Sequence, residues 1–186
     1  MIYLMRHGQD DENYIGGWSD GTLTNDGVLG VVETALWLKK NLSIKKIICS
    51  DIKRARETAI IVNKYLNVPV IYTEFLREQN KGILNGLLKE DVKKSIYKNY
   101  LKNVEVDVVF PGGESLEDLY ERIKKNLAYF MNLDDDTLII THRGVINMFY
   151  YLLEEKRLDM NKKQFGVTVA SVHELDRFKQ TIKRIK

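Results

Sequence analysis

Four short apolar runs, Ile2–Met5, Lys46–Ser50, Val70–Thr73 and Thr137–Thr141, are separated by stretches with helical hydrophobic spacing. Runs of four or five such residues are too short for helices and suit strands buried on both faces. Leu29, Val32, Leu36 and Trp37 share one helical face after a Thr24-Asn25-Asp26-Gly27 start. Ala55, Thr58, Ala59, Val62, Tyr65 and Leu66 share another, with Ser50 or Asp51 expected as its cap. Ser115-Leu116-Glu117-Asp118 has the pattern of a capping box, ahead of a stripe of Leu116, Leu119, Tyr120, Ile123, Leu127, Phe130 and Met131. A fourth helix is expected from about Gly144 to Leu153. The tail predicts two strands, Val167–Leu175 and Gln180–Ile185, joined by a short turn. Alternating strands and helices predict a three-layer α/β/α sandwich on a mostly parallel sheet with an antiparallel edge.

The 186 residues, 44% hydrophobic, are enough for one well-packed domain spanning 1–186. A Lys-rich, partly helical excursion is expected around 87–109. Its simplest reading is a solvated face, and a substrate lid is the alternative. The lone Cys49 excludes a disulfide framework and reads as core packing, while three histidines leave little for a metal cluster. No apolar run approaches the ~18 residues of a membrane span. The chain enters its first strand without a signal-peptide layout, so a cytoplasmic location is expected. A net charge of +3 points to neither nucleic acid nor membrane.

Polar residues gather just past the carboxyl ends of the expected strands: Arg6-His7-Gly8, Ser50-Asp51-Ile52-Lys53-Arg54, Leu76-Arg77-Glu78 and Thr141-His142-Arg143-Gly144. Ligands of open α/β sheets bind in the crevice outside those ends, so the four segments are expected to converge. Five of the nine arginines (6, 54, 56, 77 and 143) lie in them or within two residues of them. Guanidinium forks match phosphate oxygens, and helix N-termini add backbone donors. A neutral imidazole beside such a cradle can attack phosphorus. A carboxyl group can protonate the leaving oxygen and then deprotonate water.

Arg6-His7-Gly8 carries a resemblance to the histidine phosphatase superfamily, in its phosphoglycerate mutase-like branch. The ordered match continues through Asn13, Leu23-Thr24-Asn25-Asp26-Gly27, Ser50 to Ala55 with Thr58-Ala59, and Leu76-Arg77-Glu78 with Gly82 and Gly86. It ends with Pro111 to Ser115, Arg122, and Thr141-His142 with Gly144. The resemblance implies His7 as a nucleophile that becomes phosphohistidine and Glu78 as general acid and base. Arg6, Arg54 and His142 would bind the phosphoryl group, with Asn13 near it. Gly8 and Arg143 join the expected phosphate and substrate contacts. No cofactor and no metal are implied.

Glu74 and Glu114 are the rival acids to Glu78. Arg56 and Arg122 read as surface and structural residues, and His173 as a strand residue on the edge hairpin. Departures from the family pattern bear on substrate. Asp10-Asp11-Glu12 puts acids beside the nucleophile segment, Arg143 replaces a usual glycine, and Asn147 stands where many relatives carry Arg. Like charges there would oppose a second anionic group. The chain lacks an Arg-Arg pair after Glu78 and the long insertion of the cofactor-dependent mutases. The expectation is therefore a metal-independent phosphomonoester hydrolase acting on a small-molecule phosphoester. A cofactor-dependent phosphoglycerate mutase and a catalytically silent phosphate-binding module are the alternatives.

Overall fold

The computed structural model describes residues 1–102, 105–161 and 163–186. Strands β1 (Ile2–Arg6), β2 (Lys46–Ser50), β3 (Val70–Thr73) and β4 (Thr137–Thr141) form the parallel part of a six-stranded sheet. Strands β5 (Val172–Asp176) and β6 (Thr181–Arg184) add an antiparallel margin. The spatial order is β3-β2-β4-β1-β5-β6. The expected sandwich architecture is the one observed.

Strand periodicity sorts the core into two layers. Ile2, Leu4, Ile48 and Ile139 face helices α4 (Leu116–Met131) and α5 (Arg143–Leu153). Tyr3, Met5, Ile47, Cys49, Leu138 and Ile140 face helices α1 (Asn25–Asn41) and α2 (Lys53–Leu66). Both faces are covered, which explains why the strand sequences are apolar throughout rather than alternating. Each fully buried Leu or Ile contributes about 1.5–3 kcal/mol relative to exposure. The chain leaves β1 toward one layer and β4 toward the other. Between these neighbours the connections diverge, opening a crevice above their carboxyl ends.

The α4 capping box forms as read, with Ser115 and Asp118 each bonding the other's backbone amide. Other readings need correction. The buried face of α1 is Gly27, Val31, Thr34, Ala35 and Leu38, whereas Leu29 and Leu36 are 67% and 52% exposed. Close approach sets the start of that face: a β-carbon on Gly27 would fall 2.1 Å from the Gln9 carbonyl oxygen, so a glycine packs there ahead of Val31 and Leu38. Helix α2 has Ile52 as its N-cap and no side-chain cap. Ser50 and Asp51 are taken up by His142 and Arg77 instead.

The first tail strand starts at Val172, not Val167. Residues 167–171 fold back against β1, where the Arg6 amide donates to Ser171 and the Ala170 amide donates to the His7 carbonyl. His173 lies, as read, on the edge hairpin, in its inner strand β5 between β1 and β6. It is buried between Tyr150 and Ser171, and burial pushes its imidazole down to about 4. The expected excursion carries a short helix, α3 (Lys89–Lys93), whose Val92 packs with Ile15, Leu84 and Phe110. Residues 103–104 of that excursion lie outside the described residues.

Candidate active site

The parallel register of β1 and β4 pairs Arg6 with Thr141, so the next residue on each strand is a histidine. The His7 amide donates to the Thr141 carbonyl at 2.9 Å, and the His7 and His142 ring centres lie 5.1 Å apart. Both rings are buried. Arg54, in the first turn of α2, is 2% exposed and bridges them. Its Nε donates to His7 Nε2 and a terminal nitrogen donates to His142 Nδ1, each at 3.2 Å.

These contacts fix the tautomers. His7 Nδ1 lies 2.6 Å from the Gly8 carbonyl oxygen, which can only accept, so Nδ1 carries the proton and Nε2 a lone pair. Arg54 can only donate, so His142 Nδ1 accepts, and its Nε2 donates to Ser50 Oγ at 2.8 Å. Burial first, then Arg54, holds both imidazoles well below their ordinary range and therefore neutral. His7 Nε2 is thus an unprotonated nitrogen aimed at a guanidinium, the state a nucleophile requires.

Arg6 completes the cationic side. One terminal nitrogen donates to the Val167 carbonyl at 3.1 Å. Its Nε is buried and has no hydrogen-bond partner among the described residues. A buried donor left unpaired costs about 1–3 kcal/mol, so this N–H is a standing demand for an acceptor such as a phosphoryl oxygen. Burial and the neighbouring Arg143 push Arg6 down to about 10, which leaves it charged at neutral pH.

Glu78 follows the 3-10 turn Glu74–Leu76 that ends β3. Its carboxylate accepts from the amides of Gly144, at 3.0 Å, and Gln79, at 2.9 Å. Burial pushes its pKa up, but those two amides, Arg54 and Arg143 together outweigh burial and the net shift is downward. The rival acids are otherwise engaged or exposed: Glu114 is locked to Arg122, and Glu74 lies at the surface with Arg77 nearby.

The structure therefore brings Arg6, His7, Arg54, Glu78 and His142 together. Arg143 stands close enough to act on Arg6 and Glu78 electrostatically but makes no hydrogen bond among the described residues. The Gly8 amide is already bonded to Thr58 Oγ1 at 3.1 Å, so Gly8 shapes the turn rather than offering a donor. Asn13 is exposed and lines a shallow cavity of about 260 Å³ with Asp11, Glu12 and Lys89. Asp10 lies 3.5 Å from Arg54 Nε, so part of the acidity expected beside the nucleophile is offset inside the site. Arg77 points away, onto Asp51, and Arg56 lies over the Tyr72 ring. Asn147 is buried within α5.

Residues to which the sequence reading gave no part in the site also matter. Ser50 orients His142, Thr58 holds the turn after His7, and the carbonyls of Gly17 and Ser19 accept from Arg54. Ser50 stood among the polar residues past the strand ends but was read there only as a cap.

Comparison with known proteins bears on the family and the fold. A protein of Schizosaccharomyces pombe named as a probable phosphatase is 30% identical over 174 residues, covering 88% of this chain and 78% of its own. The probable phosphoglycerate mutase GpmB of Escherichia coli is 32% identical over 152 residues, covering 76% of this chain and 69% of its own. The native structure of mycobacterial glucosyl-3-phosphoglycerate phosphatase has the same fold, with a TM-score of 0.76 at 24% identity over 98% of this chain and 94% of that one. The model of the histidine phosphatase superfamily (branch 1) matches residues 2–185, and the chain belongs to that family.

Proposed function

We propose that this chain is a metal-independent phosphomonoester hydrolase working through a phosphohistidine on His7, with Glu78 as general acid and base. The observation that carries the reading is the pairing of an unprotonated His7 Nε2, facing Arg54, with a Glu78 carboxylate held on the Gly144 amide. An incoming phosphoryl group would take over the N–H groups of Arg54 and satisfy Arg6 Nε. Its negative charge would also raise the proton affinity of Glu78. The Glu78 carboxylate takes up a proton as the ester binds, from the ester monoanion or from solvent. His7 Nε2 then forms a bond to phosphorus as the phosphorus–oxygen ester bond breaks, and Glu78 delivers that proton to the departing oxygen. In the second half, the Glu78 carboxylate takes a proton from water, whose oxygen attacks phosphorus as the nitrogen–phosphorus bond breaks. Phosphate leaves and Glu78 is again protonated. Arg6, Arg54 and His142 carry the charge of both transition states.

The same residues would serve a mutase, and the similarity to a probable phosphoglycerate mutase makes that the second reading. Gln79-Asn80-Lys81 follows Glu78 here, with no arginine pair to grip a carboxylate. The domain reading of one unit over 1–186, a small-molecule phosphoester as partner and no nucleic acid belong to the same proposal. The test supplies a phosphoester panel in the presence of chelator, and separately 3-phosphoglycerate with bisphosphoglycerate. Phosphate release that survives chelation supports hydrolysis. Formation of 2-phosphoglycerate faster than phosphate release would replace it with mutase chemistry.

A further inference from the structure

The backbone of Glu78 is held from behind by a second ion pair. Arg122, in α4, uses its guanidinium fully. Nε donates to Glu114 Oε1 at 2.9 Å, and one terminal nitrogen donates to the Phe75 carbonyl at 3.0 Å. The other terminal nitrogen donates to Glu114 Oε2, the Arg77 carbonyl and the Glu78 carbonyl at 3.0, 3.1 and 3.2 Å. Glu114 grips the same loop from its other end: Oε2 accepts from the Asn80 amide at 2.9 Å, and its own amide donates to the Asn80 carbonyl at 2.9 Å. The pair thus touches the chain at residues 75, 77, 78 and 80, on both sides of the proposed acid. Trp18 Nε1 adds a second donor to the Glu78 carbonyl at 2.7 Å.

The supporting elements are rigid. Glu114 directly precedes the Ser115 cap of a 16-residue helix, and Arg122 lies two turns into that helix. The loops interlock at Gly82, where φ is +56° and a β-carbon would fall 1.9 Å from the Pro111 carbonyl oxygen. Arginine's planar fork can hold a carboxylate and several carbonyls at once, which lysine's single ammonium cannot.

We infer that the Glu114–Arg122 pair is a clamp that sets the position of the Glu78 carboxylate, making both positioning residues for proton transfer to the leaving group. The inference rests on the proposed role of Glu78. A carboxyl group shifted by even ~1 Å loses much of a general-acid contribution that is typically about 10²–10⁴-fold. The deficit should scale with how much the leaving group needs a proton.

The experiment measures kcat/KM for a series of aryl and alkyl phosphates spanning leaving-group acidity, with wild type, Glu78→Gln, Arg122→Met, Arg122→Lys and Glu114→Gln. The clamp predicts that Arg122→Met loses about 10²-fold on alkyl esters and under about 3-fold on the most activated aryl ester, with kcat falling more than KM rises. Arg122→Lys and Glu114→Gln should fall between it and wild type, and adding Arg122→Met to Glu78→Gln should cost little more. An equal loss on every ester, or none, overturns the clamp while leaving Glu78 in place if Glu78→Gln is itself leaving-group dependent. A Glu78→Gln enzyme with no leaving-group dependence overturns both. Should Arg122→Met fail to fold, Glu114→Gln decides by the same slope.

Discussion

The Gly144 amide lies 3.0 Å from Glu78 Oε2, and a β-carbon on Gly144 would fall 2.0 Å from Glu78 Oε1. The helix start that follows His142 is thus also the seat of the carboxylate, and no side chain fits between them. Gly144→Ala is expected to push Glu78 out of the site. Turnover of alkyl phosphates should fall about 10²-fold, as for loss of a general acid, with stability lowered by about 1–3 kcal/mol of overpacking. Steady-state kinetics beside a denaturant melt check this. Near-native kcat in Gly144→Ala would mean that Glu78 is not where the reaction needs it.

Three buried neutral histidines make the fold acid-sensitive. His7 and His142 sit well below the ordinary 6.5, and His173 sits at about 4. As pH falls below 6.5 the unfolded chain takes up protons that the folded chain refuses, so stability falls between that value and the folded values. Each histidine contributes a slope of about 1.4 kcal/mol per pH unit inside its window. Carboxylates with lowered pKa, such as Asp51 and Glu78, add to the loss only below about 4.5. Denaturant midpoints at pH 7.5, 6 and 5 should drop steadily, and a constant midpoint over that range would contradict the buried neutral state.

Arg6 Nε is a buried donor without a partner among the described residues, so phosphate or vanadate should stabilise the protein in the presence of chelator. Ligand at 100 times its Kd would add about 2.7 kcal/mol. Arg6→Lys should lose most of that gain. Equal stabilisation of Arg6→Lys and wild type in a thermal melt would remove Arg6 from the cradle.

Thr58 Oγ1 accepts from the Gly8 amide and donates to the Arg54 carbonyl at 2.8 Å, inside the core. Thr58→Val keeps the shape and strands the Gly8 amide, while the Arg54 carbonyl keeps its place in the helix, which should cost about 1–3 kcal/mol. Equilibrium denaturation reads this directly, and a loss under about 0.5 kcal/mol would mean that water or a shift satisfies the amide.

The sheet and the site were legible because buried parallel strands print continuous apolar runs, and because polar residues collect where those runs end. The register that sets His7 beside His142 follows from strands of matched length. The errors came where contact distance outweighs hydrophobicity. Leu29 and Leu36 looked like a core stripe, yet the packed face runs Gly27, Val31, Thr34, Ala35 and Leu38, starting where the helix lies almost on the Gln9 backbone. Ser50 and Asp51 looked like caps, yet each found a stronger partner distant in sequence, His142 and Arg77. The engagement of Glu114 by Arg122 was invisible for the same reason: it depends on which loop crosses α4, and no local pattern records that.

The central claim is a covalent phosphorus–nitrogen bond on His7. Glu78→Gln, mixed rapidly with an activated aryl phosphate, should accumulate a phosphoenzyme because water lacks its base. Intact mass should rise by one phosphoryl group, peptide mapping should place it on His7, and the label should be lost in acid yet survive alkali. His7→Ala should show neither label nor turnover. A label on any other residue, or undiminished turnover by His7→Ala, would contradict the account.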